Sequence, residues 1–134
     1  MNDSVRESRK ERRNMQAEFK QKLLDNGFEM EKTLTRFMGK EDMYEKFLKR
    51  FLDDHNMEKL ESAYKQENME DAFFAAHTLK GVIANLGMDA LLKPLTPFVE
   101  KLRAGDNDEE AKEYFVRVKA EYENIISILK EHVG

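Results

Sequence analysis

The sequence predicts an all-α protein: an up-down four-helix bundle core with additional short N-terminal helices. Apolar residues recur at intervals of three and four through most of the chain, and no stretch shows the strict alternation typical of a strand. Residues that favour helix ends separate these stripes by only a few positions, which indicates antiparallel neighbours. At 134 residues the chain suits one domain with a sizeable core.

Six helices are predicted after Leu24, the first three of them short. Gly39 is suited to end the first helix, and Asn56 is suited to cap the third. The apolar stripes of these three helices are, in order, Met30-Leu34-Phe37-Met38, Tyr44-Phe47-Leu48-Phe51-Leu52 and Met57-Leu60-Tyr64.

The fourth predicted helix begins after Asn68 and runs to about Leu86, where Gly87 ends it. The fifth ends at Gly105, and the last begins at a cap formed by one of residues 106–108. The stripes of the fifth and last helices are Leu91-Leu92-Leu95-Phe98-Val99-Leu102 and Phe115-Val118-Tyr122-Ile125-Leu129.

Two prolines, Pro94 and Pro97, fall inside the fifth stripe. A proline in a helix interior lacks the N–H for one backbone hydrogen bond and clashes with the preceding turn. We therefore expect a short turn near residues 89–93 and a helix that resumes around Pro94 to Pro97.

Residues 1–24 lie outside the helical pattern and are predicted to be a basic N-terminal extension or linker helix, with the bundle domain at residues 25–134. Through Leu24 there are seven Lys or Arg residues and four Asp or Glu residues. We favour a solvated segment over a membrane-binding or nucleic-acid-binding one. Met15, Phe19 and Leu23 form only a thin amphipathic stripe.

Composition narrows the class of protein further. The chain has no cysteine, which excludes a disulfide scaffold, and its net charge of −4 argues against nucleic acid as a main partner. It has neither an apolar run long enough to span a bilayer nor the apolar segment of a secretory signal. We expect a cytoplasmic protein without membrane attachment.

The fourth helix carries the candidate chemistry. His77 falls nearly opposite the side that must face the core, so it is predicted to project into solvent. A neutral imidazole can act as a nucleophile, and Lys80 lies one turn away, where it can place a positive charge beside an anion. The core side of this helix consists of Ala72, Ala76, Leu79, Ile83 and Leu86.

The surroundings of His77 differ from an ordinary solvated surface. Phe73 and Phe74 add apolar area, which suggests a protein contact, and Gly81 costs roughly 1 kcal/mol relative to Ala in mid-helix. Each feature has a plainer interpretation: a lone surface histidine is usually inert, as expected for His55 and His132. Gly81 could also reflect close helix packing, and one of the two phenylalanines could pack against a neighbouring helix.

These residues resemble the signature of histidine-containing phosphotransfer (HPt) domains. The segment His77-Thr78-Leu79-Lys80-Gly81, followed by Ala84-Asn85-Leu86-Gly87, carries the resemblance. Leu34-x-x-Phe37-x-Gly39, Tyr44, Phe51 and Leu102-x-x-Gly105-Asp106 extend it, so that it covers about residues 26 to 132.

The resemblance implies a phosphoryl carrier of a multistep two-component phosphorelay, without kinase activity of its own. His77 would be the phosphoacceptor, Lys80 would stabilise the phosphoryl oxygens, and Gly81 would leave room for a receiver domain. Partners would be response-regulator receivers or a hybrid sensor kinase, and the chain itself would be a monomer. No cofactor or metal is expected on this chain, because magnesium would belong to the receiver. The partner-binding residues would be Phe73, Phe74, Gly81, Ala84 and Asn85.

Two alternatives stay open. Members of this family often place a glutamine or another polar group on the helix after the motif, whereas the matching offsets here hold Val99, Glu100 and Lys101. Together with the prolines, this leaves room for a module that binds receivers without using its histidine. A dimerisation and phosphoacceptor segment of a sensor kinase is the other alternative, although Thr78 stands where such segments usually have an acidic residue.

Overall fold

The computed structural model describes residues 15–134, and every regular element in this part of the chain is an α-helix, which confirms the predicted all-α class. The predicted division between residues 24 and 25 stays a prediction, and residues 1–14 of the predicted extension lie outside the described residues. The seven helices described are α1 (Ala17–Asp25), α2 (Met30–Arg36), α3 (Glu41–Phe51), α4 (Asn56–Lys65), α5 (Met69–Asn85), α6 (Asp89–Arg103) and α7 (Glu109–His132).

Side-chain caps begin the two longest helices. The Asn68 side chain accepts a hydrogen bond from the backbone N–H of Asp71 at α5, as predicted. Asp108 is the residue of the predicted trio that caps α7, accepting from the N–H of Ala111 at 2.8 Å. The prediction for α4 was wrong by one position, because Asn56 is the first helical residue and His55 precedes it as the cap residue.

The expected turn near residues 89–93 is wrong, because α6 is one continuous helix through Pro94 and Pro97. A proline inside a helix costs about 3 kcal/mol or more. Against this, burying each large apolar side chain contributes about 1.5–3 kcal/mol. Tertiary packing therefore offsets the backbone cost of the two prolines. The apolar residues that α6 buries almost completely are Leu91, Leu95, Phe98, Val99 and Leu102.

The last four helices pack against their neighbours in chain order, α4 on α5, α5 on α6 and α6 on α7. α4 also contacts α7, since the rings of Tyr64 and Phe115 lie 4.7 Å apart. Nearby, Lys119 Nζ lies 3.4 Å from a carboxylate oxygen of Glu61. None of the helices in residues 15–134 is both long enough and apolar enough to cross a membrane.

α1 contributes to the same apolar core. Met15, Phe19 and Leu23 are buried together with core residues of the later helices. The Phe19 ring stacks on the imidazole of His132 at 4.6 Å, which joins α1 to the end of α7. The thin stripe seen in the sequence is thus a buried one.

The C-terminal end of α5 is fixed by side chains from two other helices. The buried hydroxyl of Tyr44 donates a hydrogen bond to the carbonyl of Leu86 at 2.8 Å. The Arg36 guanidinium donates to the carbonyls of Ala84 at 2.9 Å and Asn85 at 3.3 Å. The last turn of α5 has no basic residue of its own, so Arg36 supplies the cation that this end of a helix favours.

The chain can leave α5 at this point only because residue 87 is glycine. Gly87 has a φ of +73°, in the left-handed region. A Cβ atom here would also overlap the Thr33 side chain and lie 2.6 Å from the carbonyl oxygen of Glu29. The α1–α2 connection can therefore approach the end of α5 closely only because residue 87 has no side chain.

Candidate functional site

α5 places His77 on the surface. The opposite side of the helix is buried, and Ala72, Ala76 and Leu79 are completely inaccessible there. His77 is exposed, as the helical periodicity predicts, and Thr78 beside it is also exposed. The Thr78 hydroxyl donates to the Phe74 carbonyl at 2.9 Å and is thereby turned along the helix.

Phe73 and Phe74 have different surroundings. Phe73 is half-buried, and its ring stacks on the His77 imidazole with a centroid distance of 5.6 Å and an interplanar angle of 19°. Phe74 is 59% exposed, an unusual position for an aromatic side chain. Phe73 thus orients the imidazole, while Phe74 offers apolar surface to solvent.

Arg103 is a residue of this site that the sequence reasoning missed. It is the last residue of α6, and its guanidinium carbon lies 4.9 Å from the centre of the Phe73 ring. Its Nε also lies 3.3 Å from a carboxylate oxygen of Glu100. No local signal marks Arg103, because only the packing of α6 on α5 brings it beside Phe73.

Three residues, Val99, Glu100 and Lys101, stand at the offsets where the family often has a polar group, and each has a different environment. Val99 is completely buried, and Glu100 pairs with Arg103. Lys101 instead contacts Asp108, with Nζ and a carboxylate oxygen 2.8 Å apart, and this contact raises the pKa of Lys101. Lys101 therefore joins α6 to the start of α7.

Lys80 and Gly81 lie one turn after His77. Lys80 is half-exposed, and within residues 15–134 its ammonium has no ion-pair or hydrogen-bond partner. Gly81 is exposed, and beyond its chain neighbours and the backbone of its own helix a Cβ atom here would meet no atom of the described chain within 4 Å. Close packing inside the molecule therefore does not explain a glycine at this position.

Grooves lie on either side of this exposed face. Phe74 and Thr78 line a groove between α4 and α5. A second groove, between α3 and α5, is lined by Thr78, Gly81 and Asn85 together with Phe47 and Arg50 of α3. The linings of these grooves also include the acidic side chains of Glu58 and Asp71 in the first and Asp54 in the second.

The structure brings the predicted site residues together on one side of α5. Ala84 and Asn85 are exposed and continue this side beyond Gly81. Within residues 15–134, no group of three or more histidine and acidic side chains is arranged to hold a metal ion. The arrangement offers an accessible imidazole nucleophile, one flexible cation beside it and space for another backbone to approach.

Comparison with known proteins adds one match. Neither the curated proteins nor the solved structures include one that matches the chain. The family model described as the Hpt domain matches residues 42–127, which include α4, α5, α6 and most of α7. This region is well over half of the chain and contains His77, Lys80 and Gly81. The chain therefore belongs to the Hpt domain family.

Proposed function

We propose that this chain carries phosphoryl groups in a multistep two-component phosphorelay, between the aspartates of receiver domains. The observation that carries the proposal is the exposed His77, with Lys80 and Gly81 one turn away on the same helix. Membership of the Hpt domain family supports it at the level of the family. The partners are response-regulator receivers or a hybrid sensor kinase, and the chain acts in the cytoplasm as a monomer.

The transfer is a pair of phosphoryl displacements. An imidazole nitrogen of His77 attacks the phosphorus of an aspartyl phosphate, the P–O bond to the aspartate breaks, and the aspartate leaves as a carboxylate. The phosphohistidine then gives its phosphoryl group to a second aspartate by the reverse sequence. The carrier needs no kinase activity and no cofactor of its own, because the receiver supplies the magnesium ion.

The chain's own residues orient the nucleophile and place positive charge near it. Phe73 holds the imidazole plane by stacking, and Arg103 is in turn held over the Phe73 ring. Lys80 is the cation that can reach the phosphoryl oxygens directly. Arg103 acts through Phe73, so we propose it as a positioning residue.

We further propose that α4–α7 form the up-down four-helix core of this carrier. The connections between these helices are short, and α4 contacts α7 as well as α5. The predicted partner-binding residues Phe73, Phe74, Gly81, Ala84 and Asn85 then belong to one helix of a rigid core. A receiver would dock against α5 from the side of the two grooves.

One of the two observations that left room for a module that binds without transfer no longer holds. That alternative depended partly on an interruption of the fifth helix, and α6 is continuous. Val99 is buried, so this offset supplies no polar group to the surface around His77. Phosphoryl transfer remains the function to test first.

The test is phosphoryl transfer to the purified chain from a panel of phosphorylated receiver domains. We expect a label that is labile in acid and stable in base, and that is absent from His77→Gln. Because His77 is exposed, the variant should unfold at the same denaturant concentration as the parent. Label retained in His77→Gln, or no label from any receiver with a folded protein, would overturn the proposal.

Lys80 and Arg103 should affect transfer in different ways. Lys80→Ala should slow transfer by about one to two powers of ten, because a hydrogen bond to a charged group contributes about 1.5–3 kcal/mol. Arg103→Lys should retain the charge but lose the planar stacking on Phe73, and Arg103→Gln should lose both. The measurements are the single-turnover rate and the imidazole resonances of His77. Unchanged resonances in both Arg103 variants would remove the positioning role.

A further inference from the structure

The outer face of α3 leaves two large apolar side chains uncovered. Met43 is 38% exposed and Phe47 is 36% exposed, although α3 also buries Tyr44, Leu48 and Phe51 in the core. Both exposed residues line a groove along this helix, which we call the α3 groove. A helix face that keeps apolar area in solvent is typical of a surface for another protein. None of the partner-binding residues predicted from the sequence lies on α3.

The α3 groove adjoins the groove between α3 and α5 that contains Gly81, which we call the α3–α5 groove. Phe47 and Arg50 line both of them, so the two grooves share an edge. The α3–α5 groove also includes Thr78, the neighbour of His77 in the sequence. A protein that approaches Gly81 closely is therefore brought against Phe47 and Arg50 as well.

Arg50 has a defined position at this shared edge. Its side chain is exposed, and its guanidinium carbon lies 5.0 Å from the centre of the Phe47 ring. Stacking on an aromatic ring favours one orientation of the guanidinium plane, which can pair with a carboxylate through two parallel hydrogen bonds. Within residues 15–134 Arg50 has no ion-pair or side-chain hydrogen-bond partner. This part of the chain therefore orients Arg50 without neutralising its charge.

The charges that line the α3 groove differ between its two ends. At its start, Lys40 stands beside Glu41 and Asp42, so the two signs are mixed there. Beyond Met43, the charged residues of the lining are Lys46 and Arg50, both of them cations. The end of the groove that borders the α3–α5 groove is therefore the positive end.

One acidic residue, Asp54, lines the α3–α5 groove together with Arg50. Its carboxylate accepts hydrogen bonds from the backbone N–H and the side-chain amide of Asn56, at 2.9 and 3.0 Å. These contacts engage Asp54 at the start of α4. Arg50 is thus the charged group that this edge offers to a partner.

We propose that the outer face of α3 is a second part of the receiver docking surface, in which the receiver covers Met43 and Phe47 and pairs one of its carboxylates with Arg50. The charge suits this occupant, because magnesium is bound through carboxylates, which make the surface around a receiver's aspartate acidic. Arg50 contributes to affinity and to the choice of receiver, whereas Lys80 acts on the transferred group. The inference rests on the proposed function and adds a recognition residue to it.

Titration of the ¹⁵N-labelled full-length chain with each receiver domain of the panel maps the docking surface without any assay of transfer. Magnesium and beryllofluoride are added to the receiver as a stable substitute for its phosphoryl group. We expect the amide resonances of residues 43–50 to shift together with those of residues 77–85, while those of residues 117–124 in α7 stay in place. Shifts confined to α5, or no shift with any receiver, would overturn the docking of α3.

Charge reversal tests Arg50 against a neighbouring cation. Arg50→Glu should weaken receiver binding about tenfold to a hundredfold, because a charged hydrogen bond is lost and a like charge replaces it. Lys49→Glu makes the same change in charge one position earlier, and Lys49 is exposed but lines neither groove. Its effect should therefore stay below about threefold. Equal weakening in the two variants would assign the effect to net charge and overturn the role of Arg50.

Transfer kinetics separate docking from chemistry. Arg50→Glu should act mainly by raising the receiver concentration at half-maximal transfer, whereas Lys80→Ala should act mainly on the maximal single-turnover rate. A slower maximal rate in Arg50→Glu, with the half-maximal concentration unchanged, would contradict a docking role. Binding that depends on Arg50, without transfer from any receiver, would support this inference and contradict the proposed function alone. Transfer that is indifferent to Arg50 would do the reverse.

Discussion

Gly81 shows how a single residue can indicate a docking partner. A glycine in mid-helix lowers stability by about 1 kcal/mol relative to alanine, and nothing within the described chain occupies the space above it. We therefore expect Gly81→Ala to raise the free energy of unfolding by about 1 kcal/mol. Gly81→Gln should be at least as stable as the parent, yet block receiver docking through its longer side chain. Denaturant unfolding and receiver binding measure the two effects separately.

The matched control for Gly81→Gln is Ala84→Gln, one turn further along the same face. Its added side chain should reduce binding less if the closest approach is at residue 81. A destabilised Gly81→Ala would show that the helix backbone is constrained in some other way. Normal binding by Gly81→Gln would show that the receiver does not come close to this turn.

At the scale of single residues, the sequence predicts some features of the site and not others. Exposure of His77 follows from helical periodicity alone, because the buried side of α5 is marked by small and apolar residues. The different environments of Phe73 and Phe74 do not follow from helical periodicity, because both residues are apolar and adjacent in the sequence. Arg103 requires the packing of α6 against α5, a relation that no local pattern contains.

Helix positions were predictable where propensity and packing agree. The apolar stripes of α2, α5 and α7 agree with the residues that favour their ends, which are Gly39 after α2, Asn68 and Gly87 around α5, and Asp108 before α7. In α6 the two prolines oppose the apolar stripe, and the sequence alone does not reveal how much burial the stripe provides. Pro94 is itself buried, so it adds to the packing while it removes a hydrogen bond. Tertiary contacts decide such a conflict.

The end of α5 is held by an element far away in sequence, and this can be measured. Burial raises the pKa of Tyr44 well above its ordinary value, so its hydroxyl remains a donor to the Leu86 carbonyl. Tyr44→Phe leaves this buried carbonyl without that donor, which should cost about 1–3 kcal/mol in the free energy of unfolding. Tyr114→Phe is the control, because its hydroxyl makes only a long, exposed contact with Glu110, at 3.4 Å. Equal losses in the two variants would mean that Tyr44 does not anchor α5.

At the scale of the whole molecule, the buried core extends beyond the region matched by the family model. That match begins at residue 42, whereas Phe19 of α1 is 2% exposed and packs in the common core. Phe19→Ala should therefore cost about 3–5 kcal/mol in the free energy of unfolding. Leu24→Ala, in the same helix but 50% exposed, should cost far less. Similar small effects for both would support the predicted boundary between residues 24 and 25 instead.

The open space above Gly81 also makes the molecule suitable for building insulated signalling pairs. A side chain added there projects into solvent and disturbs no neighbour in the described chain. A carrier with a larger side chain at residue 81 would not bind natural receivers. A receiver with a smaller side chain at the facing position could bind it. The specificity of binding could then be changed by one substitution in each partner, without any change in the core of the carrier.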